Sequence, residues 1–198
     1  MYPVFETIKV LDGHHLNLGY HFERMQKTCR HLWKCEKDLT GLKQQLEIFH
    51  QDGLYKCRIM YDADTQAVSY ALYEKKAFER LRVIIDDTIE YPYKYTDRSV
   101  FLPAERLCGH GDHVVYCRQG LLTDTTYANI ALWDGGRWVT PARPLFYGTK
   151  RQSLIENGLL VEYDIALTEM TTYQKISLIN AMLDLGESEI EISAVCLL

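Results

Sequence analysis

The hydrophobic period of this chain changes within its first thirty-four residues, and that change restricts what it can become. Val4 to Val10 alternates as a strand does. Asp12-Gly13 then carries a hairpin signal, and His15 to Leu18 supplies a short returning strand. From Tyr20 to about Lys34 the spacing becomes helical, with Phe22, Met25, Cys29, Leu32 and Trp33 on one side. A strand pair handing directly to an amphipathic helix implies a mixed α+β architecture.

The remaining pattern extends this. A second helix is expected from Thr40 to His50, with Thr40 as N-cap and Leu42, Leu46 and Phe49 facing inward. Leu54–Tyr61 and Ala67–Tyr73 read as strands joined around Asp62-Ala63-Asp64-Thr65. Leu81–Ile85 and Val114–Cys117 are further strands, and Ile130–Trp133 with Trp138–Thr140 form a hairpin across Asp134-Gly135-Gly136. Thr149 to Asn157 is a short helix ended by Gly158. Apolar Ile176–Met182 and alternating Ile190–Ala194 close the chain, with Glu187, Glu189 and Glu191 on a wet strand face. The fold class is therefore α+β in two lobes: a small N-terminal lobe over residues 1–80 and a larger, strand-rich lobe over 81–198. No Gly/Ser-rich linker separates them.

Composition excludes several functions. The 198 residues carry 22 basic and 27 acidic side chains, and the basic ones are scattered. No nucleic-acid stripe or polybasic membrane patch results. No apolar run is long enough to span a bilayer. The N-terminus enters a strand pattern at once and lacks the apolar core of a signal peptide. Six cysteines without a C-x-x-C pair read as reduced thiols, and the expected compartment is the cytoplasm.

Four places carry chemistry. Lys94 sits in Tyr91-Pro92-Tyr93-Lys94-Tyr95-Thr96-Asp97-Arg98. An amine held partly out of water among aromatics favours the neutral form that attacks a carbonyl. The plainer reading is a surface lysine lying across a tyrosine. Asp124, within Leu122-Thr123-Asp124-Thr125-Thr126-Tyr127-Ala128-Asn129-Ile130, is either a carboxylate at a pocket floor or part of a turn before a strand. Gly148-Thr149-Lys150-Arg151 opens a helix whose first amides suit an anion, without the glycine spacing of a Walker loop. Arg24, in His21-Phe22-Glu23-Arg24, can fork onto a phosphate or simply face solvent. His110-x-x-His113 is a weak candidate metal pair, because no third ligand stands nearby, and no metal is expected.

Taken in order, these motifs resemble the class IV aminotransferase family, the fold-type IV pyridoxal-phosphate enzymes. Phe5-Glu6-Thr7-Ile8-Lys9-Val10 with Asp12-Gly13 and Tyr20–Arg24 is similar to the family's opening, where the matching arginine contacts the cofactor phosphate. Lys94 resembles its Schiff-base lysine. Thr123–Ile130 resembles its T-E-G-T-x-x-N-I motif, whose acid faces the pyridine nitrogen. Gly148–Arg151 is similar to its G-I-T-R phosphate loop, and Ile179-Asn180-Ala181-Met182 to the segment that closes the phosphate pocket in lyase-like members.

The resemblance, spanning residue 4 to about 182, implies pyridoxal 5'-phosphate as cofactor. Lys94 is its catalytic residue, with Arg24, Asp124, Thr149, Lys150, Asn180 and Ala181 around it. It further implies a small-molecule amino substrate and a homodimer. The favoured activity is that of a 4-amino-4-deoxychorismate lyase, releasing pyruvate to give 4-aminobenzoate for folate synthesis. The alternatives are transamination of a branched-chain or D-amino acid, and a family-like binding module without catalysis. Two departures stand out. Asp124 and Thr125 replace the family's glutamate and glycine, and the chain begins just ahead of the F-E-T strand, without the segment family members carry there.

Overall fold

The computed structural model describes residues 3–75, 78–109 and 111–197. The fold is α+β, as the periodicity implies, and divides into two compact units. One comprises Met1–Lys75 with Tyr93–Asp97, and the other Lys76–Pro92 with Arg98–Leu198.

The first unit opens with β1 (Val4–Leu11), β2 (His14–His15) and α1 (Leu18–Trp33), followed by α2 (Thr40–Glu47), β3 (Leu54–Tyr61) and β4 (Gln66–Leu72). Its sheet runs β2-β1-β3-β4 and is antiparallel throughout. The β1–β2 turn places Asp12 and Gly13 at φ 48° and 79°, the left-handed pair that a two-residue hairpin demands. The returning strand is shorter than the alternation implies. Asn17 turns left-handed at φ 56° and starts α1 at Leu18, which removes residues 16–18 from the expected strand. Thr40 likewise is not an N-cap but the first residue of α2. Its N–H donates to Asp38 Oδ1 at 2.8 Å, so the aspartate two residues earlier satisfies the first amide of the helix.

Register decides which strand residues meet α1. Val4, Glu6, Ile8 and Val10 of β1 stand opposite Tyr61, Ile59, Cys57 and Tyr55 of β3. Val4, Ile8, Val10, Cys57, Ile59 and Tyr61 form the buried core with Met25 and Cys29 of α1 and Leu42 and Leu46 of α2. The alternate positions Phe5, Thr7 and Lys9 pair with Met60, Arg58 and Lys56 and point to the other face. Residues 93–97 lie along the start of β1. Phe5 N–H donates to the Lys94 carbonyl at 2.9 Å, Thr96 N–H donates to the Pro3 carbonyl at 2.9 Å, and Val4 bridges Tyr95.

The second unit continues with β5 (Arg80–Ile85), a 3-10 turn (Ser99–Phe101), α3 (Leu102–Glu105), β6 (Asp112–Arg118), β7 (Leu121–Thr125), β8 (Asn129–Trp133), β9 (Trp138–Pro141) and α4 (Thr149–Glu156). Then come β10 (Val161–Tyr163), β11 (Lys175–Ile179), β12 (Glu189–Glu191) and β13 (Val195–Leu197). One sheet runs β13-β5-β6-β7, the other β10-β9-β8-β11-β12. Leu81, Val83, Val115, Ile130, Leu132, Ile176 and Leu178 pack in a common core. The expected alternation over residues 187–194 is confined to Glu189–Glu191, because Ile192–Ala194 winds into a 3-10 turn. The threonine-rich run before Ile130 is strand β7 as far as Thr125, and the turn that it could also be read as follows from Thr125 to Ala128. The strand's β-branched side chains suit a pleated, buried surface.

Candidate active site

In the first unit a carboxylate on the core side of β1 organises the chemistry. Glu6 is 1% exposed, so its charge must be met by neighbours. His21 Nδ1 lies 2.7 Å from its Oε2, Arg24 Nε donates to its Oε1 at 2.9 Å, and Arg24 Nη2 reaches Oε2. Both partners come from one face of α1, three residues apart, where successive turns superimpose. Burial alone would raise the Glu6 carboxyl. The Arg24 charge and the hydrogen bonds from His21 and Arg24 outweigh it and hold the group at about 2. Burial pushes His21 down, despite the opposing pull of Glu6. Arg24 is thus no solvated helix residue. The neighbouring Glu23 is the exposed one, paired with Lys27 at 2.7 Å.

Lys94 is half-buried, its carbonyl pinned by Phe5 and its Nζ 4.9 Å from the centre of the Phe5 ring. The same ring carries the Arg58 guanidinium at 4.3 Å. Arg58 Nε is buried and has no hydrogen-bond partner. Sequence reasoning passed over Arg58. The one signal was an arginine within the Leu54–Tyr61 alternation, on the face away from the core.

The second unit holds the remaining motif residues. Asp124 on β7 is 3% exposed. Its Oδ1 accepts from Asn129 Nδ2 at 2.7 Å and its Oδ2 from the Phe146 N–H at 2.8 Å. These donors are neutral amides, and Arg151 acts on the carboxyl only through space. Burial therefore dominates and pushes Asp124 up to about 7. Thr125, which stands in place of the family pattern's glycine, closes the turn between β7 and β8. Its hydroxyl donates to the Ala128 carbonyl at 2.9 Å and accepts the N–H groups of Ala128 at 2.9 Å and Tyr127 at 3.3 Å. That turn returns the chain so that Asn129 faces Asp124.

Gly148 precedes α4, which begins without a side-chain cap. A Cβ at Gly148 would lie 2.0 Å from Asn129 Oδ1. Thr149 is buried, and the Lys150 ammonium pairs with Asp184. Arg151 is 1% exposed and donates to the Pro141 carbonyl at 2.8 Å and Glu162 Oε1 at 2.7 Å. Asn180 shapes a turn through Oδ1, which accepts the N–H groups of Met182 at 2.8 Å and Leu183 at 3.1 Å. Ala181 lies within that turn, partly exposed. The first unit thus gathers Lys94 with Phe5, and Arg24 with Glu6 and His21. The second gathers Asp124 with Asn129 beside the start of α4. Of the histidine pair, His110 lies outside the described residues. His113 packs against the Tyr127 ring at 4.9 Å.

Comparison with known proteins identifies the family. The family model described as amino-transferase class IV matches residues 3–187. A protein of uncharacterised function from Haemophilus influenzae is 32% identical over 185 residues, covering 92% of this chain and 98% of that relative. The crystal structure of a proposed 4-amino-4-deoxychorismate lyase from Haemophilus somnus 129PT superposes with a TM-score of 0.85 at 29% identity, covering 93% of this chain and 98% of that one. The fold is shared as well by a hypothetical aminotransferase from Mycobacterium tuberculosis in its PLP-bound form. There the TM-score is 0.77 at 16% identity, over 98% of this chain and 81% of that one. The chain belongs to the class IV aminotransferase family.

Proposed function

We propose that this chain is a pyridoxal-phosphate-dependent lyase that releases pyruvate from 4-amino-4-deoxychorismate to give 4-aminobenzoate. The observation that carries cofactor use is the Asp124 carboxylate, buried among neutral amide donors. A protonated pyridine nitrogen is the kind of cation that such a group stabilises and is stabilised by. When bound, the cofactor supplies a protonated ring that accepts the electron pair left at the substrate carbon.

The residues have separate tasks. Lys94 is the attachment point and, once its amine is released, the base that moves a proton at the carbon bearing the substrate's nitrogen. Arg24, held by Glu6, offers a guanidinium to the phosphate, and the first amides of α4, at Thr149 and Lys150, offer hydrogen bonds to it. The Asn180–Ala181 turn belongs to the same phosphate contact. Support for lyase chemistry comes from the Haemophilus somnus relative and from the form of the Asn180-Ala181-Met182 turn. The reading includes a homodimer, and a cytoplasmic setting that suits six free thiols.

One observation favours a second reading, transamination of an amino acid. Arg58 shares the Phe5 ring with Lys94 and keeps a buried, unpartnered Nε. That is a group suited to a substrate α-carboxylate.

The test is spectroscopic first. The protein reconstituted with pyridoxal phosphate should be yellow, and borohydride should bleach it and leave the cofactor's mass on Lys94. Lys94→Ala should take no such label. A wild type that takes none either sinks the cofactor claim. Pyruvate released from aminodeoxychorismate with no amino acceptor present selects the lyase, whereas turnover that requires a keto acid selects the transaminase.

A further inference from the structure

Asp124, Asn129 and Phe146 close a ring of hydrogen bonds in the second unit. Asn129 Nδ2 donates one hydrogen to Asp124 Oδ1 at 2.7 Å and the other to the Phe146 carbonyl at 2.8 Å. Phe146 N–H completes the ring at Asp124 Oδ2, 2.8 Å away. Both amide hydrogens of Asn129 are therefore committed, which fixes the orientation of its side chain and points Oδ1 at Gly148. Gly148 has φ −72° and ψ 141°, a conformation open to any residue. Its requirement for glycine is spatial, because Asn129 Oδ1 stands 2.0 Å from where a Cβ would be.

One amide thus touches two features that recognise different ends of a phosphorylated pyridine. It orients the carboxylate assigned to the ring nitrogen, and it packs against the residue that opens the helix assigned to the phosphate. We infer that Asn129 is a positioning residue that locks Asp124 and the Gly148 entry to α4 into one body, so that pyridine ring and phosphate are recognised together and not by independent contacts. The inference rests on the cofactor reading above and adds a residue and a coupling to it.

The physical consequences differ from those of a space-filling residue. A hydrogen bond to a carboxylate favours its ionised form, and the Asn129 amide opposes the effect of burial on Asp124. Losing it moves Asp124 further toward the neutral acid, which cannot pair with a protonated ring. Losing it also opens the space beside Gly148. A methyl group at 148 should then be tolerated where before it was not.

A double-mutant cycle tests this on the full chain: Asn129→Ala, Gly148→Ala and the pair. It is read by thermal unfolding without cofactor and by pyridoxal phosphate titration from pH 6 to 9. Gly148→Ala is expected to weaken pyridoxal phosphate binding by at least about tenfold in the wild-type background and by less than about threefold when Asn129 is already alanine. Asn129→Ala alone should shift the pH midpoint of binding upward, and a residue that only fills space would leave that midpoint in place. Pyridoxal without phosphate, and inorganic phosphate alone, should each lose less affinity in Asn129→Ala than pyridoxal phosphate does. Should Asn129→Ala fail to fold, Asn129→Ser opens the same space while retaining a hydroxyl. Equal losses for Gly148→Ala in both backgrounds, or an unmoved pH midpoint, overturn the lock while leaving cofactor use intact. A wild type that does not bind pyridoxal phosphate overturns the cofactor reading and the recognition claim with it, whereas the unfolding cycle still reads the Asn129–Gly148 contact.

Discussion

Glu6 and Arg24 meet as a two-point pair, Nε on Oε1 and Nη2 on Oε2, with the carboxylate 1% and the arginine 15% exposed. Because the anion is enclosed and the cation is not fully so, Arg24 keeps an outward side while its inner side is fixed.

That pair makes acid stability dependent on Glu6. The folded-state value of about 2 lies below the ordinary 4.5, so its contribution is present above 4.5 and is lost as pH falls toward 2. Glu6→Gln should flatten this window. It should also destabilise the protein at neutral pH by roughly 3 kcal/mol, since Arg24 and His21 lose a buried partner. Denaturant midpoints between pH 2 and 7 check both. A variant that tracks the wild-type acid limb contradicts the assignment.

Asp124 has the opposite sign. Its value is raised from 3.8 to about 7, so the folded, cofactor-free protein holds a proton that the unfolded chain has released. Stability from this group is full below 3.8 and is lost as pH rises to about 7. Without cofactor, Asp124→Asn should therefore lose the fall in stability that the wild type shows between pH 3.8 and about 7. The loss comes at a constant cost, because an NH2 replaces one of the two oxygens that accept N–H donors. The variant's pyridoxal phosphate affinity should fall. Calorimetry at pH 5 and 8 gives the comparison, and a variant whose stability falls between these pH values as the wild type's does refutes it.

Arg58 separates substrate from cofactor. Arg58→Met should raise the KM for a carboxylate-bearing amino substrate by at least about tenfold, the loss expected when a charge-assisted hydrogen bond goes. Absorbance titration with pyridoxal phosphate should remain near the wild-type curve. Equal damage to both would assign Arg58 to packing on Phe5.

Lys37 should matter only to stability. It is 4% exposed, and its Nζ donates to the carbonyls of Asp62, Ala63 and Thr65 at 3.1, 3.4 and 3.2 Å. Lys37→Met leaves these acceptors without that donor and should cost about 2 kcal/mol in urea unfolding. Cofactor binding per folded molecule should not change.

What the sequence disclosed follows from where its information is local. The β1 hairpin, α1 and α4 were readable because Asp12-Gly13, the helical spacing of residues 20–34 and Gly158 act over a few residues. The strand β7 was not. Its threonines serve turns and strands alike, and the choice is made by pairing with β6, whose register breaks between Val115 and Cys117. Motif order located Asp124, but its partners Asn129 and the Phe146 N–H depend on a turn closed by the Thr125 hydroxyl and on a return 22 residues later. Arg58 escaped notice because an arginine on a strand gains meaning only from the ring beneath it.

The bond from Thr96 N–H to the Pro3 carbonyl spans 93 positions. A nascent chain extruded from its first residue can pair β1 with β3 once position 61 has emerged, yet the segment bearing Lys94 arrives more than thirty residues later. Closing so long a loop is entropically slow relative to hairpin formation. Docking of the segment that bears Lys94 is therefore one of the last events in the folding of that unit.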